Sequence, residues 1–85
     1  MQIIYTPKAK EHLDFFIKSG NKSILKKIFK LTKAIMENPY EGIGKPEPLK
    51  HELTGYWSRR IPQEHRYVYT IADKTLIIAS LRWHY

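Results

Sequence analysis

The sequence contains no cysteine, so neither a disulfide framework nor a thiolate zinc site holds the chain together. Its longest uninterrupted apolar run, Leu76 to Ala79, is four residues, far short of the roughly 20 that a membrane-spanning helix needs. Acidic residues are scarce: eight Asp+Glu stand against 15 Lys+Arg in 85 residues, a net charge of +7. Arginine is missing from residues 1–44, which hold eight lysines, and all four arginines (Arg59, Arg60, Arg66, Arg82) fall in the last third. Lysine is a solvated point charge and arginine a planar fork suited to phosphate. The first half therefore reads as a steering surface and the second as the place where an anion is held. The opening residues Met1–Pro7 carry no charged leader and no small-residue cleavage site, which sets the expectation of a cytoplasmic protein whose default polyanionic partner is nucleic acid.

What is present is enough for one small core: 42% of the residues are apolar and 13% aromatic. A single domain over residues 1–85 is expected, with no repeat and no low-complexity tract. Gln2 to Thr6 reads as a strand, and Thr6-Pro7 as an N-cap followed by proline at the first helical position. Ala9, Leu13, Phe16 and Ile17 then share one helical face, stopped by Gly20-Asn21. In the second helix Ile24, Ile28, Leu31 and Ile35 recur at helical spacing, with lysines on the remaining surface, until Asn38-Pro39 ends it. Pro39 to Pro48 reads as a Pro/Gly-rich loop. Three strand-like runs follow, Tyr56–Ile61, Arg66–Ile71 and Thr75–Trp83, separated by turns at Pro62-Gln63-Glu64 and Ala72-Asp73-Lys74. The expected fold class is α+β: two N-terminal helices packed on one face of a mainly antiparallel four-stranded sheet.

Alternation along the strands sorts the side chains. Tyr67, Tyr69 and Ile71 are expected to face the helices together with Ile77, Ala79, Leu81 and Trp83. Arg66, Val68 and Thr70 are expected on the open face with Ser80, Arg82 and His84. Two arginines and a histidine thereby come to one surface. Trp57 and Trp83 read as core or interface anchors. His51, His65 and His84 match no metal-ligand spacing, so no metal or other cofactor is expected.

The segment Gly44-Lys45-Pro46-Glu47-Pro48-Leu49-Lys50-His51, then Trp57-Ser58-Arg59-Arg60-Ile61, Glu64-His65-Arg66 and finally His84-Tyr85, closely resembles the YoeB family of the RelE superfamily of toxins. The resemblance is in register over residues 39–85, whereas residues 1–38 resemble the family only as a pattern of a strand and two helices. It implies a RelE-like fold. It also implies the toxin of a bacterial type II toxin–antitoxin pair, a ribosome-dependent endoribonuclease that cuts messenger RNA in the A site and inhibits translation. By position it implies catalytic roles for Glu47, Arg66 and His84 and substrate or ribosome contacts for Lys50, His51, Arg59, Arg60 and Tyr85. The partners implied are messenger RNA, the 70S ribosome, an acidic YefM-like antitoxin and a second copy of the chain as homodimer.

The residue types suit that chemistry. RNA is cut without metal when its 2′-hydroxyl attacks the adjacent phosphate. The step needs a base, an acid for the departing 5′-oxygen and a cation for the extra phosphate charge; Glu47, His84 and Arg66 are of the right kinds. Tyr85, with Tyr56, offers aromatic planes for an unpaired base. The alternative from a different class is a non-catalytic ribosome- or RNA-binding module that inhibits translation by occupancy.

Overall fold

Thr6 joins the first strand to the first helix and ties both to the far end of the chain. Its hydroxyl oxygen accepts from Ala9 N at 3.2 Å, capping the helix, and the same hydroxyl donates to Ala79 O at 2.9 Å. The computed structural model describes residues 1–83; His84 and Tyr85, and the expectations that fall on them, lie outside the described residues. Strand β1 (Gln2–Tyr5) leads into α1 (Pro7–Lys18), with Pro7 in the first turn, where its missing N–H costs nothing. Gly20, at φ 69°, closes α1, and the Asn21 side chain accepts from Ile24 N at 3.3 Å to cap α2 (Lys22–Glu37). All four periodic residues of α2, Ile24, Ile28, Leu31 and Ile35, are fully buried. At about 1.5–3 kcal/mol for each such side chain, this face is what holds α2 to the sheet. On α1, Ala9 and Phe16 are buried and Leu13 packs against them, whereas Ile17, expected in the core, is 53% exposed.

The sheet has five strands rather than four, in the order β1-β5-β4-β3-β2. The addition is β2 (Glu47–Pro48), which pairs with β3 (Trp57–Arg60) inside what reads as a loop. It is an edge strand, where proline is tolerated because no ladder hydrogen bond is asked of its nitrogen. Strands β3, β4 (Arg66–Ala72) and β5 (Thr75–Ser80) form the antiparallel meander, and β1 adds to β5 in parallel. Both hairpin turns place two consecutive non-glycine residues at positive φ, Gln63-Glu64 and Asp73-Lys74, the backbone sense that matches strand twist.

The helix-facing set on β5 differs from simple alternation. Val68 pairs with Ser80 and Tyr69 with Ile78, so Ala79 is an extra residue in a bulge. Leu76 and Ile78 therefore enter the core in place of Ile77 and Ala79, Leu81 enters it as expected, and Trp83 does not. Tyr67 and Tyr69 are buried as expected, and Ile71 packs against them. Strand β5 stops at Ser80 rather than running to Trp83, and Trp83 is 57% exposed while Trp57 packs against the core. No described helix is long and apolar enough to cross a membrane.

Candidate functional site

The pairing of β2 brings Glu47 onto the sheet face opposite the helices. Glu47 lies across from Ser58, Ser58 from Val68 and Val68 from Ser80, a row across four strands. Two residues further along β3, on the same face, Arg60 stands directly opposite Arg66. Directly opposed like charges repel, so this pair is an arrangement that a bound anion relieves. The Arg66 Nη1 donates to Glu64 O at 3.2 Å and His65 O at 3.1 Å. Those carbonyls steady the guanidinium and engage only one of its nitrogens.

Residues 49–56 fold back over this face. Leu49 N donates to Tyr56 O at 2.9 Å, closing the segment, and Thr70 Oγ1 donates to Gly55 O at 2.8 Å, tying it to β4. Ser58 and Val68 are buried beneath it, as is the side chain of Leu49 at its start, and the Ser58 hydroxyl has no hydrogen-bond partner among the described residues. The segment carries Lys50 and His51, both exposed, and with Glu47 they line a cleft of about 510 Å³. A second cleft, about 490 Å³, shares Glu52 and Leu53 with the first and continues to Tyr56, Val68, Ser80, Arg82 and Lys8.

Arg59 does not belong to this surface. It was expected as a substrate or ribosome contact, yet it is fully buried on the helix side of β3, opposite Tyr67. Its Nε donates to the Tyr69 hydroxyl at 3.1 Å, Nη1 to Ile43 O at 3.2 Å, and Nη2 to Asn38 O at 2.7 Å and Glu41 O at 3.1 Å. The Tyr69 hydroxyl in turn donates to Pro39 O at 2.6 Å, and burial pushes that phenol above its ordinary pKa. Arg59 is thus the internal scaffold of residues 38–44. Gly44 fits against it: at φ 82° its carbonyl accepts from Arg60 N at 2.7 Å, and a Cβ there would sit 2.8 Å from Leu31 Cδ2. By holding this loop, Arg59 sets where β2 begins and so where Glu47 stands.

Arg82 also departs from expectation. Its guanidinium carbon lies 3.5 Å from the Phe15 ring centroid and 4.2 Å from that of Trp83, so it is stacked toward α1 rather than grouped with Arg66. The cause is the end of β5 at Ser80, beyond which alternation no longer sorts side chains.

Two residues with no expected role, His12 and His65, hold the described end of the chain. His12 Nδ1 accepts from Leu81 N at 3.0 Å, His65 Nδ1 accepts from Trp83 N at 2.9 Å, and Arg66 N donates to Trp83 O at 3.2 Å. Burial, then the charges of Lys8 and Arg82, lower the His12 pKa from its ordinary value. Both partners are backbone groups remote in sequence, so no side-chain pattern announces them. The described chain therefore ends beside Arg66.

Known proteins share this fold and sequence. A family model described as YoeB-like toxin of bacterial type II toxin-antitoxin system matches residues 5–85. Toxin YoeB of Synechocystis sp. is 53% identical over 85 residues, covering 100% of this chain and 98% of that protein. Among solved structures, the YoeB dimer from Staphylococcus aureus superposes with a TM-score of 0.90 at 49% identity, covering 100% of this chain and 98% of that one. The YoeB-YefM complex from the same organism gives 0.89 at 50% identity, with the same coverage of 100% and 98%. The resemblance carried by residues 39–85 thus extends through β1 and both helices, and the chain belongs to the family of YoeB-like toxins of bacterial type II toxin–antitoxin systems.

Proposed function

We propose that this toxin is a ribosome-dependent endoribonuclease that cuts messenger RNA in the A site without a metal. Glu47 takes the 2′-hydroxyl proton and the freed oxygen attacks the adjacent phosphorus. Arg66 holds the charge that develops on the phosphoryl oxygens. The bond to the 5′-oxygen breaks as His84 protonates it, leaving a 2′,3′-cyclic phosphate and a 5′-hydroxyl. Lys50, His51 and Arg60 hold the RNA backbone, and Tyr85 stacks on an unpaired base. The observation that carries the reading is the β2–β3 pairing: it lifts Glu47 out of a loop and fixes it on the sheet face that also carries the Arg60–Arg66 pair.

The family and its relatives supply the rest of the reading. In this reading an acidic, YefM-like antitoxin neutralises the toxin by covering the basic face and the toxin pairs with a second copy of itself; a YoeB-YefM complex and a YoeB dimer from Staphylococcus aureus support the two kinds of partner. A net charge of +7 favours attraction to ribosomal RNA, and the reading carries with it a cytoplasmic site of action. Primer extension on programmed ribosomes tests the proposal with wild-type protein, His84→Ala and Arg66→Ala. A discrete A-site cut lost in both variants supports it. A stalling signal without new RNA ends, retained by both variants, supports inhibition by occupancy instead.

A further inference from the structure

We infer that His12 and His65 are positioning residues that set the course of the chain leading into His84, by accepting the Leu81 and Trp83 amide protons on their Nδ1 atoms. Leu81 and Trp83 are two residues apart and are held by imidazoles from two different elements, His12 on α1 and His65 in the turn before β4. Beyond Ser80 the chain has left the β5 ladder, so these two bonds, with Arg66 N to Trp83 O, replace the ladder over the last described residues. His65 is itself wedged edge-on between the rings of Phe16 and Trp83, at centroid distances of 5.3 and 5.7 Å. The Leu81 side chain is fully buried, which fixes the strap from below.

An imidazole accepts at Nδ1 only while that nitrogen carries no proton. Protonation turns each acceptor into a donor aimed at an N–H, and the strap loses its hold. The groups around His12 oppose protonation: burial acts first, then Lys8 from its own helix and Arg82 from the strap, with His65 adding to them and the carboxylate of Glu11 opposing them. The surroundings of His12 thus favour its neutral imidazole, and acid releases its end of the strap. The consequence for cleavage rests on the role given to His84 in the proposed function; the anchoring does not.

The test uses the full chain and two readouts. Asparagine places Oδ1 where Nδ1 stood and accepts without titrating, whereas alanine accepts nothing. Hydrogen exchange followed by NMR on His12→Ala is expected to show the Leu81 amide exchanging about fivefold faster or more than in wild type at pH 7.5, the worth of one neutral hydrogen bond. His12→Asn should retain the protection and lose its dependence on pH, and His65→Asn should retain the protection of the Trp83 amide that His65→Ala loses. In the primer-extension assay His12→Ala should cut roughly tenfold to a hundredfold more slowly, the scale of a small misplacement of reacting groups, and His12→Asn should recover most of the rate. Unchanged Leu81 exchange in His12→Ala overturns the anchor, and faster exchange with an unchanged cutting rate overturns the positioning role. A wild-type protein that cuts no messenger overturns the nuclease reading instead, while the exchange measurement, which needs no RNA, still decides the anchor.

Discussion

Arg60 and Arg66 stand directly opposite each other across the β3–β4 pairing, on the face that also carries Glu47. In the absence of an anion their repulsion costs stability, and in its presence the pair contributes two forks for phosphate. Arg60→Ser should therefore leave the Tm unchanged or slightly raised while weakening ribosome binding, with the slope of log affinity against log salt falling in magnitude by about one. A calorimetric scan and a binding series over salt concentration check this; a lowered Tm with an unaltered salt slope would place Arg60 in the scaffold rather than at the RNA.

Its neighbour in sequence behaves in the opposite way. Arg59 donates four hydrogen bonds in the interior, three of them to carbonyls of residues 38–43. Truncating it leaves those carbonyls and the Tyr69 hydroxyl buried without their donor. Arg59→Ala should lower unfolding stability by about 3 kcal/mol or more, read as a shift in urea midpoint. Arg59→Lys should recover only part of this, because an ammonium cannot reproduce the planar fork. If Arg59→Lys instead keeps full stability and loses ribosome binding, the side chain works at the surface after all.

That contrast marks where the sequence was informative and where it stopped. Helix α2 was legible because Ile24, Ile28, Leu31 and Ile35 repeat with the helical period, and one face of a helix has one destination. On β5 the same logic failed at Ala79: one bulged residue exchanges Ile77 and Ala79 for Leu76 and Ile78 on the core side, and a bulge has no signature in apolar side chains. Strand β2 is two residues long and contains a proline, so nothing in its composition reads as strand; it exists because β3 offers it an edge. The family resemblance selected Glu47, Arg60 and Arg66, which share a face, and also Arg59, which does not, since motif position carries no information about burial. His12 and His65 were invisible because their partners are backbone amides 69 and 18 residues away.

Gly44 is where loop geometry and core packing meet. A Cβ there would meet Leu31 Cδ2 at 2.8 Å and Arg59 Cβ at 3.1 Å, at a φ of 82°. Gly55 has a similar backbone, φ 95°, with nothing within 4 Å. Gly55→Ala should cost about 1 kcal/mol, the left-handed penalty alone, and Gly44→Ala about 1–3 kcal/mol beyond that through overpacking. Parallel denaturant titrations compare them directly, and equal losses would show that the loop yields without disturbing Leu31.

Acid should weaken the fold through His12. Its folded pKa is lowered by burial and by the charges of Lys8 and Arg82, so between that value and the unfolded one, about 6.5, the unfolded chain binds the extra proton. Stability then rises with pH in this window and is fully present above it. On acidification from pH 7 the urea midpoint should fall, and in His12→Asn that fall should be shallower. A midpoint that drops equally in both proteins assigns the acid sensitivity to other groups.

Glu47 provides the sharpest test of the chemistry, because its placement on β2 is compatible with two roles. A general base must take a proton from the 2′-hydroxyl, and removing it costs roughly 10²- to 10⁴-fold in the chemical step. A positioning carboxylate, by contrast, is replaceable by any group that keeps the hydrogen bonds. Glu47→Gln preserves size and acceptor oxygen but cannot take the proton, so single-turnover cleavage on saturating ribosomes should fall nearly as far as in Glu47→Ala, with ribosome affinity unchanged. The alkaline side should discriminate as well: hydroxide assists a reaction that lacks its base, and the rate of Glu47→Gln should climb with pH beyond the plateau of the wild type. If Glu47→Gln cuts within about threefold of wild type, well short of the loss of a general base, the proton goes elsewhere and Glu47 serves only to orient the RNA.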